Sequence, residues 1–170
     1  MPINIPDGLP AKKTLHEERI FALEEEVAEH QEIRPLRLAI LNLMPKKIQT
    51  ETQILRLISK SPIQVTCDFM RISSHESKNT AADHLVTFYS TFDDFKDKNY
   101  DGLIVTGAPI EDLKYEDVDY WDEFCRIVDW SQEHVFSTMY LCWGALAGLY
   151  YLHDIPKKIP NSLAPSIFLG

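Results

Sequence analysis

A cysteine set directly after an apolar strand, at the first turn of a helix, is placed to act as a nucleophile, and Cys142 has that setting. Val135-Phe136-Ser137-Thr138-Met139-Tyr140-Leu141 reads as a buried strand. Trp143-Gly144-Ala145-Leu146-Ala147-Gly148-Leu149-Tyr150-Tyr151 follows without a spacer as a helix dense in small residues. A helix N-terminus carries partial positive charge, which favours thiolate over thiol in a cysteine held there. The first-turn N–H groups of Trp143 and Gly144 lack intrahelical acceptors, so they are free to donate to the oxyanion formed when a thiolate attacks a carbonyl. Glycine and alanine at 144, 145, 147 and 148 suit a sharp turn that passes close under a sheet. The same pattern admits a second reading, in which the small residues serve only helix-to-sheet packing and Cys142 is one more core thiol.

The elements that must position such a cysteine are legible upstream. Leu36 to Leu43 is a nearly continuous apolar run, the signature of a strand covered on both faces, and it ends at Met44-Pro45-Lys46-Lys47. Thr50 and Gln53 match a capping box, and Ile54, Leu55, Leu57 and Ile58 continue as an amphipathic helix that stops before Ser61-Pro62. Ile63, Val65, Cys67 and Phe69 alternate with polar residues, giving a second strand with Cys67 as a packing thiol. Residues 73–99 read as surface helices and loops. Gly102-Leu103-Ile104-Val105-Thr106 is a third buried strand running into Gly107-Ala108-Pro109, a turn whose glycine allows close backbone approach. Tyr120, Trp121, Phe124, Ile127, Val128 and Trp130 recur at helical spacing, with Cys125 a structural residue among them. Alternating strands and helices predict an α/β fold: a mostly parallel sheet flanked by helices, with ligands at the strand ends.

Residues 1–35, with Pro2, Pro6, Pro10, Pro35 and the acidic run Glu24-Glu25-Glu26, read as an N-terminal arm outside the core. Residues 36–157 form the α/β domain and 158–170 a divergent tail. A chain of 170 residues is long enough for one domain, since about 150 residues bury roughly 70% of their unfolded surface. Its net charge of −9 argues against nucleic acid, which needs clustered lysine and arginine. No stretch reaches the ~20 apolar residues of a membrane span, and the N-terminus lacks a secretory pattern, so no membrane partner and a cytoplasmic location are expected. Three cysteines at irregular spacing fit reduced thiols and no metal site.

The segments FSTMYLCWGALAGLYY, LNLMPKKIQTE, QVTCDFMRI and YDGLIVTGAPIE, in that family's order and spacing, closely resemble the homoserine O-acyltransferases over residues 1–157. The resemblance implies a class I glutamine amidotransferase-like, flavodoxin-like fold of which this chain is the N-terminal half. It implies a ping-pong transfer serving methionine biosynthesis, in which Cys142 takes an acyl group from coenzyme A and passes it to the hydroxyl of homoserine. Acyl-CoA is then a substrate, with no tightly bound cofactor. The resemblance also implies that Gly107 and Ala108 shape the oxyanion and acyl pocket, with Lys46 and Lys47 near it. Glu111 stands where the family's glutamate goes with acetyl-CoA and a small residue with succinyl-CoA. A carboxylate there would repel the distal carboxylate of a succinyl group and leave an acetyl methyl untouched. Glu111 can also be read as one loop acid among Asp112, Glu116 and Asp117.

Some features depart from the resemblance. The family's base is a histidine held by a glutamate, both downstream of the elbow, and His16, His30, His75, His84, His134 and His153 do not match that position. Leu146 stands where the family has glutamine, and the tail follows the family only loosely. Such a half domain is expected to expose core that further strands and helices would cover. Serine is an alternative acceptor and succinyl an alternative acyl group. A catalytically incomplete fragment acting by association is a reading of a different class, and a homodimer is left open. A glutamine amidotransferase-like hydrolase shares the elbow and is disfavoured by the MPKK and TGAPIE segments.

Overall fold

Strand β3 (Leu36–Leu41) fills both faces of a sheet from one short apolar run. Ala39 and Leu41 point into one core cluster, while Ile40 points into the other. The computed structural model describes residues 3–20, 22–24, 34–74 and 81–157. Flanking β3 are β4 (Val65–Met70) and β6 (Gly102–Val105), which alternate in the same way: Met70, Leu103 and Val105 face the first cluster, and Cys67 and Phe69 the second. The period of two in a strand produces this sorting.

With β1 (Ile3–Ile5), β2 (Ala22–Glu24) and β7 (Thr138–Tyr140), the sheet runs β2-β1-β4-β3-β6-β7. A two-residue β5 (Tyr89–Ser90) lies against the carboxyl end of β4. All of these pairings are parallel. Helices α1 (Ala11–Glu17) and α2 (Lys47–Ile58) supply Leu15, Ile54 and Leu55 to the second cluster. A short α3 (Ala82–Phe88) packs there through Leu85 and Phe88. Helices α4 (Trp121–His134) and α5 (Trp143–His153) cover the other face with Phe124, Ile127, Val128, Trp143 and Ala147. The expected α/β architecture is therefore observed.

Three expectations need correction. Residues 3–20 and 22–24 are no arm outside the core: Ile3, Ile5, Leu9 and Leu15 are buried, and β1 pairs with β4. The prolines there bracket short elements rather than exclude them, and Pro10 immediately precedes α1, a position where its missing N–H costs nothing. Asn4, between the two isoleucines, donates to Thr66 Oγ at 3.1 Å and accepts from Gln64 Nε2 at 3.0 Å.

Helix α2 starts a turn before the expected capping box. Thr50 Oγ donates back to Lys46 O within the helix at 3.2 Å. The strand before Cys142 is not buried either, because β7 is an edge strand paired only with β6 among the described residues; Phe136 is 93% exposed and Met139 58%. Leu141, Leu146 and Leu149 are also exposed, which matches the uncovered apolar surface expected of this domain. No helix among the described residues is long and apolar enough to cross a membrane.

Candidate active site

The connection from β7 to α5 is a sharp elbow, and Cys142 takes its strain. It caps the helix at φ 51° and ψ −120°, a backbone conformation that non-glycine residues rarely adopt. Its thiol is exposed. Cys142 O accepts from Ala145 N–H at 3.0 Å and Leu146 N–H at 3.2 Å, so the N–H groups of Trp143 and Gly144 stay at the open end of the helix. The Trp143 ring turns inward instead, 5.5 Å from Phe124 and 6.1 Å from Tyr120, and fixes the first turn against the core.

Two glycines make this approach feasible. A Cβ on Gly144 would fall 2.7 Å from Thr106 O, and one on Gly107 would fall 2.9 Å from Cys142 Cβ. The loop after β6 thus lies against the elbow at van der Waals distance. Thr106 ties that loop to the one after β3: its N–H donates to Leu41 O at 3.0 Å, and its Oγ accepts from Leu43 N–H at 2.8 Å. The Met44-Pro45-Lys46-Lys47 turn and the Gly107-Ala108-Pro109 turn therefore stand side by side at the carboxyl edge of the sheet, as expected for strand-end ligand sites.

The two lysines separate. Lys46 is exposed. Lys47 is buried, its ammonium donating to Asn42 O at 2.5 Å and Met44 O at 3.4 Å. Burial lowers its pKa to about 8; the Glu51 carboxylate opposes that shift and the nearby Arg71 charge adds to it. Behind Lys47 lies a polar cluster that the sequence reading missed. The fully buried Glu51 accepts from Tyr89 Oη at 2.6 Å and meets His84 Nε2 at 2.9 Å, while Asn42 Nδ2 donates to Tyr89 Oη at 2.8 Å. A signal existed: Lys47, Glu51, Ile54, Leu55 and Ile58 fall on one helical stripe, so the two charged residues share the apolar face.

A cleft of about 780 Å³ opens along the same edge, between the loop at Ala108, Pro109 and Ile110 and helix α3, with Lys47 and Arg71 in its wall. Glu111 follows Ile110 and is exposed in the loop, outside the cleft lining. Cys142 adjoins the cleft through the shared 106–110 loop. Among the described histidines, His84 is enclosed with Glu51, His134 Nδ1 meets Asn99 Oδ1, and His153 is exposed; none hydrogen-bonds Cys142. His30, His75 and the tail 158–170 lie outside the described residues. The described His, Cys, Asp and Glu residues form no metal-holding cluster.

Comparison with known proteins shows the family. A homoserine O-acetyltransferase of Bifidobacterium adolescentis is 64% identical over 94% of this chain and 46% of its own length. Proteins of that name from Clostridium acetobutylicum and Streptococcus thermophilus are 59% and 55% identical over 92% and 95% of this chain and 52% and 51% of theirs. The chain thus spans about half the length of the curated relatives it matches. A model of the homoserine O-succinyltransferase family matches residues 2–168, and the chain belongs to that family.

Proposed function

We propose that this chain carries the nucleophilic half of a homoserine O-acyltransferase, with acetyl-CoA as donor and Cys142 as the acyl carrier. The observation that carries the reading is the strained, exposed Cys142 at the start of α5, cradled by Gly107 and Gly144. In the first half-reaction the Cys142 thiolate attacks the thioester carbonyl, and the N–H groups of Trp143 and Gly144 are placed to receive the oxyanion. Collapse forms the Cys142 thioester and releases the CoA thiolate, which takes up a proton. In the second, the hydroxyl of homoserine attacks the carrier thioester, loses its proton to a base and leaves as the O-acyl ester, restoring the thiolate. The backbone of Gly107 and Ala108 lines the acyl side. Lys47 holds the neighbouring turn, Lys46 offers a solvent-facing cation beside it, and Glu111 discriminates against a succinyl carboxylate. The reduced thiols suit the cytoplasm, and the reaction so proposed would serve methionine biosynthesis.

The first half-reaction needs only the elbow and its cradle, so it can be tested on this chain. Incubation with acetyl-CoA should add one acetyl group by intact mass, and Cys142→Ser should abolish the gain. Acetyl-CoA should outpace succinyl-CoA, and Glu111→Gly should narrow that preference. No gain by a demonstrably folded wild-type chain would sink the carrier reading. The exposed Phe136, Met139 and Leu141 would then favour the second reading, a domain that acts by association.

A further inference from the structure

Two cations line the cleft, Arg71 and Lys47, and the Glu51 carboxylate acts on Lys47 at longer range. Arg71 directly follows β4, its Nε is buried with no hydrogen-bond partner, and neither Arg71 nor Lys47 forms an ion pair among the described residues. A buried donor left unmade is costly, and two like charges in one wall repel, so an anion between them would relieve both. The loop that presents Arg71 is held firmly. Glu123 on α4 accepts from Ser73 N–H at 2.9 Å and Ser74 N–H at 3.0 Å and from both serine hydroxyls. Asp117 and Asp119 face the same cleft, so a bound anion would need the two cations to outweigh them.

Position decides which anion. Arg71 ends β4 and Cys142 follows β7, three strand spacings away in the order β4-β3-β6-β7. At about 4.8 Å per spacing this is roughly 14 Å. The carboxylate of an amino acid whose hydroxyl reacts at Cys142 lies only a few bonds from that hydroxyl and falls short of this span. A phosphate at the far end of a long thioester arm reaches it, and the cleft that holds Arg71 is bounded by the 108–110 loop and by Ala82, Leu85 and Val86 of α3.

Resting on the acyl-CoA reading above, we propose that Arg71 and Lys47 form an anion subsite that binds a phosphate of the acyl donor while its arm runs along the cleft to Cys142. Calorimetric titration of this chain with CoA should show binding that Arg71→Gln weakens tenfold or more and Arg71→Lys largely retains. Pantetheine, which has no phosphate, should bind wild type and Arg71→Gln equally. Circular dichroism and the melting midpoint establish that each variant is folded. Cys142 acetylation by acetyl-CoA should slow at least tenfold in Arg71→Gln, and acetylation by S-acetylpantetheine should be unchanged. No CoA binding by wild type, or equal CoA binding by wild type and Arg71→Gln, overturns the subsite. So does an Arg71→Gln defect confined to homoserine, which would make the anion a carboxylate. If neither donor acetylates Cys142, the carrier reading fails by itself, and the CoA titration still decides the subsite.

Discussion

Cys142 and the Glu51 carboxylate both lie by the carboxyl ends of the same parallel strands, yet their surroundings are opposite. Glu51 is sealed under α2 and α3, with Tyr89 and His84 on one oxygen and Asn42 behind them. Cys142 is exposed, held in a strained conformation, and beside an edge strand whose outer side shows Phe136 and Met139. The difference follows from the sheet order. Central strands β3 and β4 are covered on both faces, so polar groups at their ends must satisfy one another in the interior. Among the described residues β7 has one neighbour, and the group at its end is exposed. The buried cluster gathers its donors on Glu51 Oε1 and leaves Oε2 without a hydrogen-bond partner among the described residues, whereas the strained, open thiol is available for chemistry.

The widest expected separation lies between thiols. Cys67 sits in β4 with its thiol pushed up to about 12 by burial and by the neighbouring Asp68 carboxylate. It should react with iodoacetamide only when the sheet opens, at least about a thousandfold more slowly than exposed Cys142. Peptide mass spectrometry after a timed pulse measures both. Labelling of Cys67 within tenfold of Cys142 would erase the contrast. The next effect is on stability. Glu51→Leu strands the His84 and Tyr89 donors and should cost about 3 kcal/mol in urea unfolding. Cys142→Ser, at an exposed site, should cost less than about 0.5 kcal/mol. Equal losses would mean that the elbow, too, is integral to the core.

Much of this was readable in the sequence. The β4 run alternates, the β3 and β6 runs are continuously apolar, and the strand-to-helix step at Cys142 is unbroken, so the architecture and the elbow position of Cys142 follow from period and spacing. The first two dozen residues misled because proline density suggests an arm, whereas a three-residue Ile-Asn-Ile strand carries too little pattern to outweigh it. The Glu51, His84 and Tyr89 cluster was missed because its members lie far apart in sequence and meet only when α2 and α3 pack on one face. Arg71 escaped for the same reason, since a cleft wall assembled from the ends of several strands has no local spacing. Nothing in the described geometry of Glu111 bears on its expected role in choosing the acyl group.

The elbow side of the comparison sharpens at Gly144. A Cβ there meets Thr106 O at 2.7 Å, a backbone atom that cannot step aside without moving the 106–110 loop. Gly144→Ala should cost about 2 kcal/mol, because overpacking outweighs the helix propensity gained. It should also slow Cys142 acetylation, whereas Ala145→Gly should lower stability by no more than about 1 kcal/mol through propensity alone. A Gly144→Ala chain with unchanged melting and acetylation would show that the close approach is dispensable.

The smallest effect tests the buried side. Lys47 has a folded-state pKa lowered to about 8 from an ordinary 10.5, burial being the main cause. Between those values the unfolded chain holds a proton that the folded chain has released, so stability rises as pH climbs through this window. The penalty for burying the ammonium is fully present below the folded value and is relieved above it. From pH 7 to 9 wild type should gain roughly 1 kcal/mol relative to Lys47→Met, which has nothing to titrate there. Paired urea titrations across that range cancel the other lysines, tyrosines and cysteines. Parallel curves would mean that Lys47 keeps its charge at pH 9, held by Glu51, and that the buried end of the sheet tolerates an ion pair rather than a strained cation.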